Sequence, residues 1–433
     1  MNNLWQKSSA ELNSTIASYT VGDDTKLDTI LMPYDIKASR AHAEGLQKIG
    51  LLTHEELSAL LSCLSDLKKL WKQGAIQIKT SDEDCHTVIE NFLIENLGDT
   101  GKKIHTGRSR NDQVLVMMRL FMKEKLWKIR TETLSLAKTF LALAQTNKNV
   151  PLPGYTHMQQ AMLSTIGHYY CSFVESLLDD INCMDIIRQH INTNPLGSAA
   201  GFGVAFPLDR EYTKEQLGFE NVQINSLYCQ NSRGKFESMY LESLVQLMMT
   251  LGKFASDLLL FTSQEHDFFD VDETLVTGSS IMPQKRNLDG MEILRGYASV
   301  VMGNQSTVQN IAKSLPSGYN RDFQLMKKPL MESVEIVLKS IEVTKLYLKG
   351  ITPKKDVIES KISKDVFMAD AANALVKKKG IPFREAYNLA SDEMQNYQID
   401  FESNIESKVS MGAPGNLCFE IYQERIASLQ RRT

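Results

Sequence analysis

Residues that interrupt helices are scarce in this chain, which has only 24 glycines and 11 prolines among 433 residues. Together they fall well below the roughly 12% that these two residues make up in average proteins. Glycine and proline are the poorest helix formers, so a chain with few of them is expected to consist mainly of long helices. The composition therefore predicts an all-α fold.

Three further absences limit the class of protein. The 48 Lys and Arg residues do not exceed the 52 Asp and Glu residues, so a nucleic-acid partner is not expected. No run of 18 apolar residues occurs, and the start of the sequence lacks a basic segment followed by an apolar one, so we predict neither a membrane span nor secretion. The six cysteines show no C-x-x-C spacing, which predicts reduced thiols in a cytoplasmic protein.

Apolar residues recur at helical spacing over long stretches, and residues 112–145 contain neither proline nor glycine. Five such stretches are predicted as helices, at 112–145, 161–190, 235–269, 288–313 and 323–348. Average helices are about 11 to 12 residues long, so helices of about 25 to 35 residues indicate a bundle buried on more than one side. We predict three domains: a helical domain at 1–111, a central five-helix bundle at 112–350 and a small helical domain at 351–433. Because one chain cannot cover all the apolar faces, we expect a homotetramer.

The segment between the third and fourth predicted helices has the composition of a reactive loop. It reads GSSIMPQKRN over residues 278–287, with two hydroxyls, a lysine and an asparagine close together. Such a set suits anion binding or the stabilisation of a carbanion. On composition alone an ordinary loop is the commoner interpretation. The chain has no G-x-S-x-G elbow around Ser280 and no phosphate-binding G-x-x-x-x-G-K-[ST] loop, so hydrolase and nucleotide-hydrolysing functions lack support.

This loop resembles the GSSxMPxKxN signature of the fumarase/aspartase superfamily, whose members release fumarate and form all-helical homotetramers. Four other segments are similar to those of the argininosuccinate lyase family and its bacterial branch. They are HTGRSRNDQ at 105–113, PGYTH at 153–157, NPLGS at 194–198, and YNRD at 319–322 with Gln324 and Lys327. The resemblance runs from about Tyr19 to Arg384. It implies elimination of fumarate from argininosuccinate, giving arginine, through a carbanion (aci-carboxylate) intermediate.

The resemblance implies four catalytic residues. Ser280 is implied as the base, and its alkoxide would need stabilisation by backbone N–H groups, a helix N-terminus or Lys285. Lys285 and Asn287 would hold the carboxylate as its charge grows. A single histidine in a polar loop is usually only exposed to solvent, but the resemblance favours a proton donor or relay for His157. Glu292 resembles the carboxylate that pairs with this histidine and would orient it.

Other matching positions are implied to bind substrate. Arg110, Asn111 and Thr156 offer a guanidinium, an amide and a hydroxyl to a carboxylate. Tyr319, Gln324 and Lys327 match positions that hold the arginine portion in the family, and His86 resembles a histidine near the substrate. Each could instead have an ordinary surface or capping role, and only their joint appearance favours binding. We predict no metal and no cofactor, because no second histidine stands three or four residues from a first.

Two alternatives and three departures from the family pattern stay open. Adenylosuccinate lyase has a similar loop, and a crystallin-like structural protein could keep the fold without turnover. Leu288 stands where the family usually has proline, and Gly290 stands where a larger residue is common. The segment at 228–235 also departs from the commoner branch, which leaves a substrate contact by Arg233 undecided.

The order of the loops along the chain bears on how a site could be assembled. A 30-residue helix spans about 45 Å, so loops at its opposite ends cannot meet in one subunit. An up-and-down bundle places the Arg110 loop at the end opposite the His157 and Ser280 loops. Helix counting leaves open whether the last two come from one chain. The resemblance implies sites built from three subunits.

Overall fold

A computed structural model describes residues 13–395 and 398–432. Residues 1–12, at the start of the first predicted domain, lie outside the described residues. The described chain is mainly helical, and the prediction of an all-α fold is confirmed.

The α-helices follow one another along the chain, and the longer connections lie after α6, α7 and α10. They are α1 (Ser14–Val21), α2 (Asp24–Lys48), α3 (His54–Lys72), α4 (Cys85–Leu97), α5 (Asp99–Lys102), α6 (Arg110–Thr146), α7 (Ile166–Ile191), α8 (Arg210–Leu217), α9 (Ser226–Asn231), α10 (Lys235–Phe261), α11 (Asp289–Ala312), α12 (Lys327–Gly350), α13 (Lys355–Lys361), α14 (Met368–Lys379), α15 (Phe383–Gln395), α16 (Phe401–Ser407) and α17 (Phe419–Arg431). The five long helices predicted from the sequence correspond to α6, α7, α10, α11 and α12, so their existence is confirmed.

Short strands in the described residues form three two-stranded sheets. The strands are β1 (Pro151–Thr156), β2 (Gln159–Thr165), β3 (Thr193–Asn194), β4 (Asn221–Val222), β5 (Phe269–Val271) and β6 (Ile351–Pro353). Strands β1 and β2 form an antiparallel hairpin, β3 and β4 are parallel, and β5 and β6 are antiparallel. The polar loop that the sequence predicts around His157 is therefore the turn of a hairpin, because backbone pairing joins the two arms of the segment after Val150.

The chain divides into two compact units. The first comprises the described residues up to Lys128, with Met184–Leu244 and Val301–Glu335. Its core includes Val116 and Leu120 of α6, packed with small residues of α2 and with Leu217 and Phe219. The second unit comprises Ile129–Cys183, Val245–Val300 and the described residues from Ile336. The division into three domains stays a prediction.

The core of the second unit is rich in aromatic rings that contact one another edge-to-face or stacked. The ring of Phe140 lies 5.8 Å from that of Tyr170, 5.4 Å from that of Phe173 and 5.2 Å from that of Phe254. Contacts of this kind bury large apolar areas. They join α6, α7 and α10 and provide a rigid support for the connections that leave these helices.

Candidate active site

Six of the predicted substrate-binding residues line one cavity in the first unit. They are His86, Arg110, Asn111, Tyr319, Gln324 and Lys327. The same cavity is lined by Asp24, Glu83, Asp84, Val114, Arg233 and Arg321. These side chains come from segments nearly 300 residues apart, so only folding brings them together. The cavity combines cationic and anionic side chains, as expected where a ligand carries both kinds of charge.

Arg110 begins α6 and is held by groups at the start of α4. Its guanidinium lies 2.9 Å from Glu83 and 3.3 Å from Asp84, and it donates a hydrogen bond of 2.8 Å to Thr87 Oγ1. Asp84 is the N-cap of α4 and accepts from the Thr87 N–H at 2.8 Å. Burial raises the pKa of Asp84, but the charges of His86 and Arg110 bring it below its usual value. Arg110 therefore faces the cavity from a fixed position beside two carboxylates.

His86 forms a buried pair with a carboxylate of α2. Its Nδ1 lies 2.6 Å from Asp35 Oδ2, while its Nε2 is buried and makes no hydrogen bond within the described residues. Burial favours the neutral imidazole, but the charge of Asp35 and the hydrogen bond to it raise the pKa of His86 above its usual value. Because Asp35 binds Nδ1, Nε2 is the nitrogen of His86 that can interact with a ligand in the cavity.

Lys327 is bound to two carboxylates of α2. Its Nζ lies 3.0 Å from Asp24 Oδ2 and 2.9 Å from Asp28 Oδ1. Burial raises the pKa of the Asp24 carboxyl despite the neighbouring ammonium. Burial lowers the pKa of Lys327, and the charges of Asp28 and Asp24 more than offset this effect and raise it. The ammonium that the sequence assigns to substrate is therefore paired internally in this structure.

Gln324 and Tyr319 also have partners in the first unit. The Gln324 amide donates to the carbonyls of Thr20 at 2.8 Å and Val21 at 3.1 Å. The guanidinium of Arg233 lies 5.2 Å from the centre of the Tyr319 ring, and its buried Nη1 atom makes no hydrogen bond to any residue that the structure describes. Arg233 therefore lies at the cavity, where its guanidinium could contact substrate.

The hairpin of the second unit carries Thr156 and His157 at its tip. Thr156 pairs with Gln159, so His157 and Met158 are the two residues of the turn. Both have positive φ, 54° and 63°. A two-residue turn of this kind matches the twist of the strands. Its positive φ angles cost free energy for residues other than glycine. The turn presents Thr156 and His157 to solvent.

The loop with Ser280 is closed by backbone pairing at its ends. Thr277 and Asn287 exchange hydrogen bonds of 3.0 and 2.9 Å. Ser279 Oγ accepts from the N–H groups of Ile281 at 3.3 Å and Met282 at 3.2 Å. Ser280 is exposed, and its hydroxyl makes no hydrogen bond to the described part of the chain. The two adjacent serines are thus different: Ser279 shapes the loop, and Ser280 is accessible.

Lys285 lies shortly before α11 and Glu292 lies in the first turn of that helix, and both are exposed. Within residues 13–395 and 398–432, neither Glu292 nor Ser280 makes a hydrogen bond or ion pair with His157. Asn287 contributes its backbone to the closure of the loop. In the second unit the predicted catalytic residues are exposed, and among the described residues they form no hydrogen bond or ion pair with one another.

Packing against a tyrosine explains why glycine occupies position 290, where the family commonly has a larger residue. A Cβ atom on Gly290 would lie 2.8 Å from the Tyr347 hydroxyl. That hydroxyl donates to the Leu275 carbonyl at 2.8 Å. The ring of Tyr347 thus occupies the space of a side chain at position 290. Leu288, in place of proline, is buried.

Among the described residues, one cluster of side chains is of the types that bind metal ions. Asp35, Cys85 and His86 have ligand atoms within 4.8 Å of one another. The 2.6 Å separation of His86 Nδ1 and Asp35 Oδ2 is that of a hydrogen bond, and it is shorter than the spacing of two ligands around a zinc ion. The observed geometry is thus that of a hydrogen-bonded pair beside a buried thiol. The absence of a metal stays a prediction.

Comparison with known proteins identifies the family. A family model described as Lyase matches residues 17–303. The argininosuccinate lyase of Thermotoga neapolitana is 40% identical over 390 residues, which cover 90% of this chain and 98% of that protein. The argininosuccinate lyase of Xanthomonas euvesicatoria pv. vesicatoria is 39% identical over 432 residues, which cover 99% of each. The chain belongs to the argininosuccinate lyase family. It is therefore a lyase.

More distant solved structures share the fold. An EDDS lyase variant with bound fumarate has a TM-score of 0.81 at 21% identity, covering 98% of this chain and 91% of that chain. A fumarate lyase:delta crystallin from Brucella melitensis bound to cobalt has a TM-score of 0.75 at 18% identity, covering 98% of this chain and 96% of that chain. At these identities the likeness concerns the fold alone.

One stretch of the described chain has the length and apolar composition of a membrane-spanning helix. Ser226–Phe261 is long and apolar enough to cross a bilayer, but 61% of its most apolar window is buried inside the protein. Burial of this kind is typical of a core helix, which needs apolar residues for packing.

Sequence reasoning missed four carboxylates, three of them at the cavity and the fourth, Asp35, against His86. Asp24, Asp35, Glu83 and Asp84 carry no role in the sequence prediction, yet each contacts a residue that does. Asp84 could have been noticed as the N-cap of α4. The pairing of Asp24 with Lys327 has no local signal, because the two residues are 303 positions apart.

Proposed function

We propose that this chain eliminates fumarate from argininosuccinate and releases arginine. The observation that carries the proposal is the meeting of six predicted substrate-binding residues at one cavity, in a member of the argininosuccinate lyase family. The substrate has carboxylates, a guanidinium and an amino group. The cavity offers Arg110, Arg233 and His86 to its anionic groups and Asp24, Glu83 and Asp84 to its cationic groups.

In the proposed reaction Ser280 acts as the base. It removes the proton from the carbon next to a succinyl carboxylate, and the electron pair spreads into that carboxylate. Lys285 and Asn287 hold this charge, and the bond from the neighbouring carbon to the guanidinium nitrogen then breaks. His157, oriented by Glu292, returns a proton to the leaving nitrogen directly or through water. The exposed, unpaired Ser280 hydroxyl supports this assignment, since a base must reach substrate.

Substrate contacts are assigned by type. Arg110, Asn111 and Thr156 bind the carboxylates of the succinyl portion, and His86 lies near the substrate. Tyr319, Gln324 and Lys327 hold the arginine portion. Because the Lys327 ammonium is already paired, we propose that it acts chiefly by fixing Asp24 at the cavity.

We also propose a cytoplasmic homotetramer that shares its active sites between subunits and needs no cofactor. Helix α6 has 37 residues and spans about 55 Å, so one small substrate cannot touch both ends of it. Ile293, Tyr297 and Val300 on α11 are exposed, and their spacing places them on one face of that helix. Such an apolar face supports burial against a second copy. The six free cysteines suit a reducing compartment.

The direct test is an assay of the purified protein with argininosuccinate, following the absorbance of fumarate. Adenylosuccinate and aspartate are the control substrates. We expect fumarate and arginine in equal amounts from argininosuccinate only. Turnover of adenylosuccinate instead would indicate the other lyase, and no turnover of any substrate would indicate a structural homologue.

A further inference from the structure

We propose that Gln160 is a positioning residue for His157. Gln160 lies on β2, directly opposite Tyr155 in the hairpin. It is three residues from His157 and has no role in the chemistry proposed above. The proposal rests on the proposed part of His157 in proton transfer.

The side-chain amide of Gln160 joins the hairpin to the segment that follows α13. Its Nε2 donates to the Lys361 carbonyl at 2.8 Å, and its Oε1 accepts from the Ser363 N–H at 2.9 Å. The amide thus donates to one backbone carbonyl and accepts from the N–H two residues later, as a residue of a neighbouring antiparallel strand does. A side chain held in this way restricts both the translation and the rotation of its strand.

The segment that receives Gln160 is itself held in place. The Lys361 ammonium donates to the carbonyls of Glu265 at 2.6 Å and His266 at 3.0 Å. Ile362 is buried between the two residues that bind the amide. Gln160 is therefore attached to a fixed support, which a positioning role requires.

The other side of the same cross-strand pair is also fixed. The ring of Tyr155 lies 5.9 Å from that of His266 and 6.5 Å from that of Phe261. The pair of Tyr155 and Gln160 is the last but one before the turn, and the pair of Thr156 and Gln159 follows it. The direction of the turn is thus set by the Tyr155–Gln160 pair.

The turn needs this support because its conformation is unfavourable. His157 and Met158 both lie in the left-handed region, which residues with a Cβ atom rarely adopt. A hairpin released from its support can relax to another turn and move the imidazole. Proton transfer depends on hydrogen-bond geometry, so a displaced imidazole lowers the rate more than it lowers substrate affinity.

The test compares two variants with a matched control. Gln160→Met keeps the length of the side chain and removes both hydrogen bonds, whereas Gln160→Glu keeps the acceptor for Ser363 and loses the donor for Lys361. Ser164→Ala is the control, because Ser164 lies on the same strand as Gln160 but farther from the turn, and the substitution removes its hydrogen bond of 2.8 Å to His168 of α7. His157→Asn is assayed in parallel, and thermal unfolding of every variant is recorded.

We expect kcat of Gln160→Met to fall about 10- to 100-fold with KM within about twofold, since a shift of about 1 Å has effects of this size. Gln160→Glu should lie between this variant and wild type, and Ser164→Ala should match wild type. In Gln160→Met, the part of the pH–rate profile that depends on His157 should shift along the pH axis. Loss of a merely structural residue would not cause such a shift.

Two results overturn the proposal in distinguishable ways. If His157→Asn is inactive while folded Gln160→Met keeps the wild-type kcat and pH profile, the positioning role is wrong and the proposed function stands. If His157→Asn is fully active, the proposed part of His157 is wrong, and the role of Gln160 is wrong with it. Should Gln160→Met fail to fold, the decrease in kcat of Gln160→Glu relative to Ser164→Ala decides the matter.

Discussion

The Nδ1 atom of His86 lies 2.6 Å from Oδ2 of Asp35, and both side chains are buried. This contact leaves Nε2 of His86 as the nitrogen for the cavity. We expect Asp35→Asn to lower the pKa of His86 and to reduce kcat/KM by about tenfold, the effect of weakening one charge-assisted hydrogen bond. Histidine NMR and initial rates measure the two effects. An unchanged kcat/KM would mean that His86 does not act on substrate.

Removal of the Lys327 ammonium should destabilise the protein. Lys327→Met leaves two buried carboxylates without their cation, and breaking a buried ion pair in this way costs about 3–5 kcal/mol. Chemical denaturation measures the free energy of unfolding. Lys328→Met is the control, because Lys328 pairs with Asp23 on the exposed surface at 2.9 Å, and it should leave the unfolding midpoint almost unchanged.

The two serines of the 278–287 loop should respond differently to removal of the hydroxyl. Ser280→Ala should abolish turnover with little change in KM, because a base acts mainly in the transition state. Ser279→Ala should give a smaller decrease, since Ser279 Oγ accepts from two N–H groups that shape the loop. Steady-state rates of both variants decide this. A Ser280→Ala protein that keeps a tenth of the normal kcat would contradict its assignment as the base.

Shared active sites predict complementation between inactive variants. Ser280→Ala and His157→Asn subunits are mixed, dissociated and reassembled, and fumarate release is measured. Some sites in mixed tetramers would draw all their loops from unmutated copies, so part of the activity should return. The absence of any recovery in mixed tetramers verified by mass would show that Ser280 and His157 of each site come from one chain.

A buried carboxyl predicts a pH-dependent stability. Burial raises the pKa of Asp180 from 3.8 to about 7, even though Thr250 donates to its Oδ2 at 2.8 Å. The folded state therefore binds more protons than the unfolded state between these values. The stabilisation is complete below about pH 4 and is lost as the pH rises through about 7.

Asp180→Asn removes this titration while keeping the shape of the side chain. At pH 8 we expect Tm to rise by about 2–4 °C, the shift that about 1 kcal/mol produces in a large domain. The difference should vanish or reverse at pH 5. Thermal scans at the two pH values measure it, and an equal Tm difference at both would refute the assignment.

Local interactions explain what the sequence alone determined. The five long helices follow from apolar periodicity and from the scarcity of glycine and proline, because each helical hydrogen bond joins residues only four apart. Helix α3 shows this clearly, since Thr53 and Glu56 form a capping box at its start. The candidate residues at the cavity were also found, because their segments carry family patterns that can be read one at a time.

Tertiary structure decided the features that depend on distant partners. The segment after Val150 is a hairpin because its two arms pair with each other, a preference that its mixed polar composition does not express. Lys327 pairs with Asp24 and Asp28 across about 300 positions, and Gln160 binds backbone about 200 positions away. Contacts of this kind have no period in the sequence, since loop closure and packing select the partners only after the helices have assembled.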